Sequence, residues 1–249
     1  MPDPSNAGYG KGYFLIANPV LPDPNFSRTV VLLCNHDSEG SFGLVINRTA
    51  PISSKEVFSE MGMSSFSSDK IYVGGPVSPS QVFYLCRSEN PLPELETICE
   101  GVYLGMSWEL LDNLMTRFKN PEKNIRFYLG YSGWGAGQLA GEMTRLSWLT
   151  TQAYSEYVFQ ENENGIWANV VCSLGKDYEY LLNAPINPQW NQPAVQRWIL
   201  CINLLQASRF TNPHPRLNIA GFLLKNISLD VFRISPKKNG LHKLKMGIF

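Results

Sequence analysis

The strongest structural signal in the chain is a series of three short apolar runs, Tyr13-Phe-Leu-Ile-Ala17, Thr29-Val-Val-Leu-Leu-Cys34 and Phe42-Gly-Leu-Val-Ile46. Each run is rich in aliphatic, β-branched or aromatic residues and is bounded by Pro, Asp, Asn or Gly, as buried strands usually are. The turn segments between them are Asp23-Pro-Asn-Phe-Ser-Arg28 and Asp37-Ser-Glu-Gly40. This pattern predicts three strands joined by two polar turns.

Strands and helices alternate along the rest of the first 180 or so residues. Further strands are predicted over residues 81–86 and 125–129, and a strand that begins at residue 71 is predicted to run into a Gly-Gly-Pro turn at residues 74–76. Further helices are predicted over residues 107–118 and 166–174 and after the capping box of Ser53 and Glu56. Residues 130–137 are predicted to form a glycine loop that leads from a strand into a helix. Strands joined by both tight turns and helices indicate a mixed sheet and an α+β fold.

The charge is divided unevenly along the 249 residues. Lys+Arg and Asp+Glu are both 21, so the formal net charge is zero. Residues 1–189 hold 12 Lys/Arg and 20 Asp/Glu, a net −8, whereas residues 190–249 hold 9 Lys/Arg and only Asp230, a net +8. We therefore predict a folded domain over residues 1–189 and a basic C-terminal extension over 190–249.

The five cysteines are scattered without a CxxC pair, which is typical of reduced thiols and predicts a cytoplasmic protein. The first residues have neither the basic start nor the apolar run of a secretory signal. No apolar run approaches the roughly 20 residues of a membrane-spanning helix. We expect no cofactor and no metal site.

A series of motifs resembles the AlgH/YqgE-like family, a largely uncharacterised group of bacterial proteins. The matching segments are Phe14-Leu-Ile-Ala-Asn-Pro19, Asp23-Pro-Asn-Phe-Ser-Arg28, Gly43-Leu-Val-Ile-Asn-Arg48, Gly74-Gly-Pro-Val77 and Leu129-Gly-Tyr-Ser-Gly-Trp-Gly-Ala-Gly-Gln-Leu139. The likeness covers roughly residues 10–191 and excludes the basic extension. It implies an α+β domain whose branched mixed β-sheet curls into a pseudo-barrel with flanking helices, and it implies no reaction.

Arg28, Asn47 and Arg48 stand at the ends of predicted strands. Arginine at such positions can bind a carboxylate or phosphate through its planar guanidinium. The commoner role is structural, in which the two arginines pair with Asp23, Asp37 or Glu39 and hold the turns. The sequence leaves both interpretations open.

Cys34, His36 and Glu39, with Asp37 between them, form the one compact group with catalytic or metal-ligand chemistry. On a continuing strand, Cys34 and His36 would share a face, as a thiolate–imidazole pair requires. A buried cysteine beside a turn histidine is the commoner arrangement. These residues are weak catalytic candidates for a hydrolase or a thiol-dependent enzyme.

The glycine-rich segments are candidate ligand sites or tight turns. A glycine loop before a helix can direct backbone N–H groups at an anion, and Gln138 and Glu142 would lie on one face of that helix. Packing of aromatic rings against glycine backbone is the alternative. The candidate binding residues in these segments are Gly74, Gly75, Tyr131, Gly133, Trp134, Gln138 and Glu142.

The sequence favours a non-enzymatic protein with a regulatory role that binds a small anionic ligand or a partner protein. The enzyme centred on Cys34, His36 and Glu39 is one alternative. The other is binding of nucleic acid or anionic lipid through the basic extension, where lysines would neutralise phosphates.

Overall fold

The structure is a computed structural model, and it describes residues 8–184 apart from 20, 22, 53–56 and 59–69. The strands of this part are β1 (Tyr13–Ala17), β2 (Val30–His36), β3 (Gly40–Val45), β4 (Tyr72–Val73), β5 (Val77–Arg87), β6 (Glu96–Cys99), β7 (Val102–Gly105), β8 (Ile125–Gly135) and β9 (Trp148–Gln152). The helices are α1 (Trp108–Arg117), α2 (Pro121–Asn124), α3 (Gln138–Thr144), α4 (Ser155–Val158) and α5 (Glu163–Ser173), with 3-10 helices at Pro24–Phe26 and Lys176–Asn183.

All the described strands belong to one sheet in the order β6-β7-β5-β8-β3-β2-β1-β9. The sheet branches at β8, which pairs along one edge with β5 and along the other with β4 and then β3. The β4–β8 pair is parallel, whereas the other strand pairs are antiparallel, so the sheet is mixed. The branched mixed sheet implied by the family resemblance is confirmed.

The sheet curls so that its two ends approach each other. Lys11, just before β1, forms an ion pair with Glu96 of β6, with 2.6 Å between Nζ and Oε1. The backbone of Gly12 lies against Ile98 of β6, and its carbonyl accepts the N–H of Ala153 after β9 at 2.9 Å. The result is the expected pseudo-barrel with flanking helices.

Two groups of buried side chains in the described part of the chain join helices to the sheet. One joins α1, through Leu111 and Leu114, to Tyr84 and Phe127 of the central strands. The other joins β1, β2 and β3 to the two indoles Trp134 and Trp148 and to Leu139 of α3. Helix α1 begins where sequence predicts, because the Ser107 hydroxyl caps the N–H of Leu110.

One predicted element is wrong in type. Residues 130–135 were expected to form a loop, but they continue β8, which runs unbroken to Gly135. The turn before α3 is confined to residues 136–137. The free backbone N–H groups of an anion-binding loop are therefore not formed, because residues 132–135 pair with β3.

Some expectations fall on residues outside the described part of the chain. The capping box of Ser53 and Glu56 is one of them, although Val57 and Phe58 just after it are helical. The extension over 190–249 and the boundary before it are others, and they stay predictions. Among the described helices, none is long and apolar enough to cross a membrane.

Candidate functional site

An open groove of about 520 Å³ lies where the β2–β3 hairpin meets the C-terminal half of β8. We call it the hairpin groove, and the residues that line it are Asn35, Asp37, Glu39, Gly40, Ser41, Phe42, Val77, Tyr131, Gly133, Trp134 and Gly135. Its size is that of a small-molecule or peptide-side-chain site.

Strand register explains which side chains meet in the groove. Gly40 pairs with Gly135 and Phe42 pairs with Gly133 across the β3–β8 ladder. Because alternate residues of a strand point to the same face, Tyr131, Gly133 and Gly135 of β8 share one face of the sheet with Phe42. Glycines therefore form the floor, and aromatic rings stand at one end of it.

Aromatic contacts hold the rings at that end in place. The ring centroids of Phe42 and Tyr131 lie 5.3 Å apart in an edge-to-face arrangement. Both rings also contact Phe83, at 5.2 Å and 5.9 Å. Such pairs stabilise an aromatic cluster and favour particular orientations of its rings. The groove therefore has a rigid apolar wall.

Two carboxylates occupy the other end. Hydrogen bonds from the Asn35 amide and from the backbone N–H groups of Glu39 and Gly40 lower the pKa of Asp37 below its ordinary value. Asp37 is thus ionised at neutral pH and shapes the hairpin turn. The Glu39 carboxylate is exposed and has no hydrogen-bond or ion-pair partner among the described residues.

Gly135 has no packing reason to be glycine. A Cβ at this position would meet no described atom within 4 Å, and its φ lies outside the left-handed region. Gly40 differs, because a Cβ there would overlap the Trp134 carbonyl oxygen. A glycine inside a strand often marks a close approach by a ligand or by another backbone. At Gly135 the space it leaves belongs to the groove.

The three strand-end candidates Arg28, Asn47 and Arg48 lie near one another, but their polar groups face backbone atoms. Arg28 donates to the carbonyls of Leu182 and Ala184, at 3.3 Å and 2.7 Å, and lies 5.0 Å from the Trp167 ring centroid. Arg48 donates to the Ser27 carbonyl at 3.1 Å. The arginines serve the structural role left open by sequence, with backbone carbonyls as acceptors.

Asn47 holds the start of β2. Its Oδ1 accepts the N–H of Val30 at 2.9 Å, and its Nδ2 donates to the carbonyl of Arg28 at 2.9 Å. The side chain thereby satisfies one backbone donor and one backbone acceptor just before the β2–β3 ladder, which begins at Val31. Asn47 and Arg48 lie outside the hairpin groove.

Cys34 and His36 do not share a face, so that prediction is wrong. A β-bulge between Leu33 and Asn35 inserts an extra residue, after which His36 lies opposite Ser41 on the face that Leu33 also occupies. Burial raises the pKa of the Cys34 thiol, with Glu96 and Cys99 adding to the shift. The thiol is therefore neutral and inaccessible.

His36 is held near the hairpin by two contacts. Its Nδ1 lies 2.7 Å from the Ser41 hydroxyl, and its ring centroid lies 5.1 Å from that of Tyr9. Burial lowers the pKa of His36, and Asp37 opposes this effect. Among the described residues, no group of three His, Cys, Asp or Glu side chains lies close enough to hold a metal ion.

Gly74 and Gly75 let two backbone segments cross. A Cβ on Gly74 would overlap the carbonyl oxygen of Gly130, and one on Gly75 would overlap the backbone of Tyr131. The Gly74 carbonyl also accepts the N–H of Val45 at 2.8 Å. Backbone fills this space, so the two glycines serve packing.

Trp134, Gln138 and Glu142 lock α3 to the sheet. Oε2 of Glu142 accepts the indole N–H of Trp134 at 2.9 Å and that of Trp148 at 2.8 Å. Gln138 donates to Oε1 of Glu142 at 3.1 Å, and its own oxygen accepts the N–H of Gly135 at 3.2 Å. This polar cluster therefore supports the floor of the groove from behind.

Of the residues proposed from sequence, four line the groove: Glu39, Tyr131, Gly133 and Trp134. Sequence reasoning did not select Asn35, Phe42 or Gly135. The sequence feature that could have indicated them is the alternation Tyr131-x-Gly133-x-Gly135, which is compatible with a strand whose one face carries few side chains.

The curled, branched sheet and its flanking helices define an α+β pseudo-barrel domain with a groove on one face. The AlgH-like family matches residues 14–179, and the chain belongs to this family. A UPF0301 protein of Cytophaga hutchinsonii is 37% identical over 182 residues, which cover 73% of this chain and 98% of the relative. One of Chlorobaculum tepidum is 35% identical over 180 residues, 72% of this chain and 95% of the relative.

Two solved structures have the same fold. The solution structure of the AlgH protein from Pseudomonas aeruginosa is 31% identical, with a TM-score of 0.56, and the match covers 74% of this chain and 97% of that one. A crystal structure of a Corynebacterium diphtheriae protein is 19% identical, with a TM-score of 0.57, and the match covers 70% and 91%. These likenesses establish the architecture and carry no activity.

Proposed function

We propose that this chain is a non-enzymatic binding protein and that the hairpin groove is its binding surface. The observation that carries the proposal is the bare floor at Gly135. A side chain would fit there without disturbing any described contact, yet the position is glycine and opens a space between two carboxylates and aromatic rings. This combination of an apolar wall, a few polar groups and close access to backbone is typical of ligand sites.

The other polar candidates favour the same interpretation because they are engaged elsewhere. Arg28, Asn47 and Glu142 form their hydrogen bonds with backbone carbonyls, amides and indoles. Glu39 is the candidate whose charged group stays available at the rim. A fixed scaffold with an unpaired charge beside an open groove suits binding better than chemistry.

The enzyme alternative loses its geometric basis among the described residues. A thiol nucleophile needs a lowered pKa and a nearby base, whereas burial raises the pKa of Cys34 and the bulge turns His36 to the other face. We further propose a regulatory role in the cytoplasm, in which occupancy of the groove is the signal. Four unpaired thiols of the described residues, Cys34, Cys86, Cys99 and Cys172, suit a reducing compartment.

A thermal-shift screen of peptides and metabolites against the full chain tests the proposal. A ligand that binds only the folded state raises the Tm, and the rise grows with the logarithm of the ligand concentration above its Kd. We expect ligands that stabilise the natural chain and the control Gly10→Val, but not Gly135→Val, which fills the groove. A Cβ at Gly10 would also meet no described atom within 4 Å, and Gly10 lies outside the groove. Ligands that stabilise Gly135→Val equally would place binding elsewhere.

A further inference from the structure

Building on the proposed function, we propose that the hairpin groove binds a peptide segment of a partner protein through an arginine or lysine side chain. The described residues that line the groove include Asp37 and Glu39 and no Lys, Arg or His. Its charge is therefore negative, and the complementary ligand is cationic.

The carboxylates differ in what they offer a ligand. Asp37 already accepts three hydrogen bonds from the hairpin, so its position is fixed and part of its accepting capacity is used. Glu39, two residues further on, has an exposed carboxylate with no partner in the described part of the chain. It is the group able to form a two-pronged contact with a guanidinium.

The rings and the floor suit the rest of such a side chain. The groups at the aromatic end are Phe42 and Tyr131, whose faces attract cations and whose edges pack on methylene groups. The bare backbone at Gly135 lets a flat guanidinium or an aliphatic stem lie close to the sheet, whereas Gly133 is already in contact with the Tyr131 ring. A cationic side chain with a long apolar stem therefore matches all three parts of the groove.

Openness of the groove favours a peptide over a small free cation. A small ligand binds well when most of its surface is enclosed, and this groove is shallow and open to solvent. A side chain on a peptide gains additional contacts from its neighbours. The backbone groups of β3 and β8 are already paired along the groove, so recognition uses side chains and not addition of a strand.

Fluorescence anisotropy of labelled octapeptides with the full chain tests this inference. The probes are Ala-Phe-Ala-Arg-Ala-Arg-Ala-Phe and its versions with Gln or Glu in place of Arg. We expect the Arg peptide to bind most tightly, and we expect Glu39→Gln to weaken it about two- to fivefold, the usual range for one exposed charge pair. The matched control Glu89→Gln, an exposed glutamate outside the groove, should leave binding unchanged.

Groove-filling variants separate failure of this inference from failure of the proposed function. Gly135→Val should abolish binding of the Arg peptide, with Gly135→Ala as a milder version if the first does not fold. Equal or tighter binding of the Gln or Glu peptide, still sensitive to Gly135→Val, would overturn the cationic ligand and leave the groove as a binding site. Arg-peptide binding that is insensitive to both Gly135 variants would remove the groove as the site.

Two further outcomes overturn the inference alone. Absence of binding by all three peptides would reject a peptide ligand, and the thermal-shift screen would then judge the proposed function separately. Competition by free arginine amide at the same concentration as the Arg peptide would mean that a small cation suffices. Weak competition by arginine amide, at concentrations at least tenfold higher, is the result expected for a peptide site.

Discussion

A single amide side chain organises the turn that leads into β2. Asn47 satisfies the N–H of Val30 and the carbonyl of Arg28 at once. We predict that Asn47→Ala lowers the free energy of unfolding by about 1–3 kcal/mol, because both backbone groups lose their partner. Urea denaturation checks this. Asn47→Asp keeps the oxygen that accepts the Val30 N–H, so its free energy of unfolding should fall less. An unchanged urea midpoint for Asn47→Ala would contradict the structural role of Asn47.

Buried thiols make the free energy of unfolding fall as the pH rises into the alkaline range. Burial, with a smaller effect of Glu94, raises the pKa of Cys86 from 9.0 to about 12. Between these two pKa values the folded state keeps the thiol proton that the unfolded state has lost. The contribution of Cys86 to the free energy of unfolding is therefore complete below pH 9 and declines as the pH rises toward 12.

We predict that the free energy of unfolding falls more steeply between pH 9 and 10.5 for the natural chain than for Cys86→Val. One such thiol accounts for a slope of up to about 1.4 kcal/mol per pH unit. Urea denaturation at several pH values measures it. Cys172→Ala, at an exposed thiol, should keep the natural slope, and identical slopes for the natural chain and Cys86→Val would refute the effect.

At the scale of elements, β8 holds the sheet together because it is the branch point. Its crossing with the segment before β5 depends on the glycine at position 74, where a Cβ would overlap the Gly130 carbonyl oxygen and crowd Leu44. We predict that Gly74→Ala costs about 1–3 kcal/mol of stability through overpacking. Thermal unfolding tests this, with Gly10→Ala as a control that should change the Tm little. An equal Tm for both variants would contradict this prediction, because it would mean that the backbone around Gly74 accommodates a Cβ at little cost.

The elements also show what sequence could and could not reveal. The strands β1, β2 and β3 and helix α1 were predictable, because hydrophobic runs, Pro and the Ser107 cap act locally. The extent of β8 was not, because glycines that leave a strand face bare look like a loop. The bulge at Cys34 likewise depends on pairing with β3 and has no local signal.

The candidate site depended even more on long-range pairing. Sequence leaves both an anion-binding and a structural role open for Arg28, because its acceptors, the carbonyls of Leu182 and Ala184, lie about 155 residues away in sequence. That Gly135 and Phe42 line one groove could not be predicted from sequence, because it depends on the β3–β8 register that places them on one face. Sequence indicated the right segments, whereas the structure determined which of their residues meet.

At the scale of the whole molecule, residues 1–189 carry a net negative charge and residues 190–249 a net positive charge. We propose that residues 190–249 give the chain a separate affinity for nucleic acid, since they hold 9 Lys/Arg and one acidic residue. We predict that affinity for a DNA duplex falls steeply with salt and is lost on truncation after Trp190. Filter binding at several salt concentrations measures this. Binding that is insensitive to salt, or that survives truncation, would reject it.

The central claim is that the face built by β3 and β8 is where this protein binds. Amide NMR spectra of the full chain, recorded during titration with the Arg octapeptide, test that claim most directly. We predict that the largest shift changes fall on residues 39–42 and 131–135, and that Gly135→Val removes them. Changes confined to other parts of the chain, or unaltered in Gly135→Val, would contradict it.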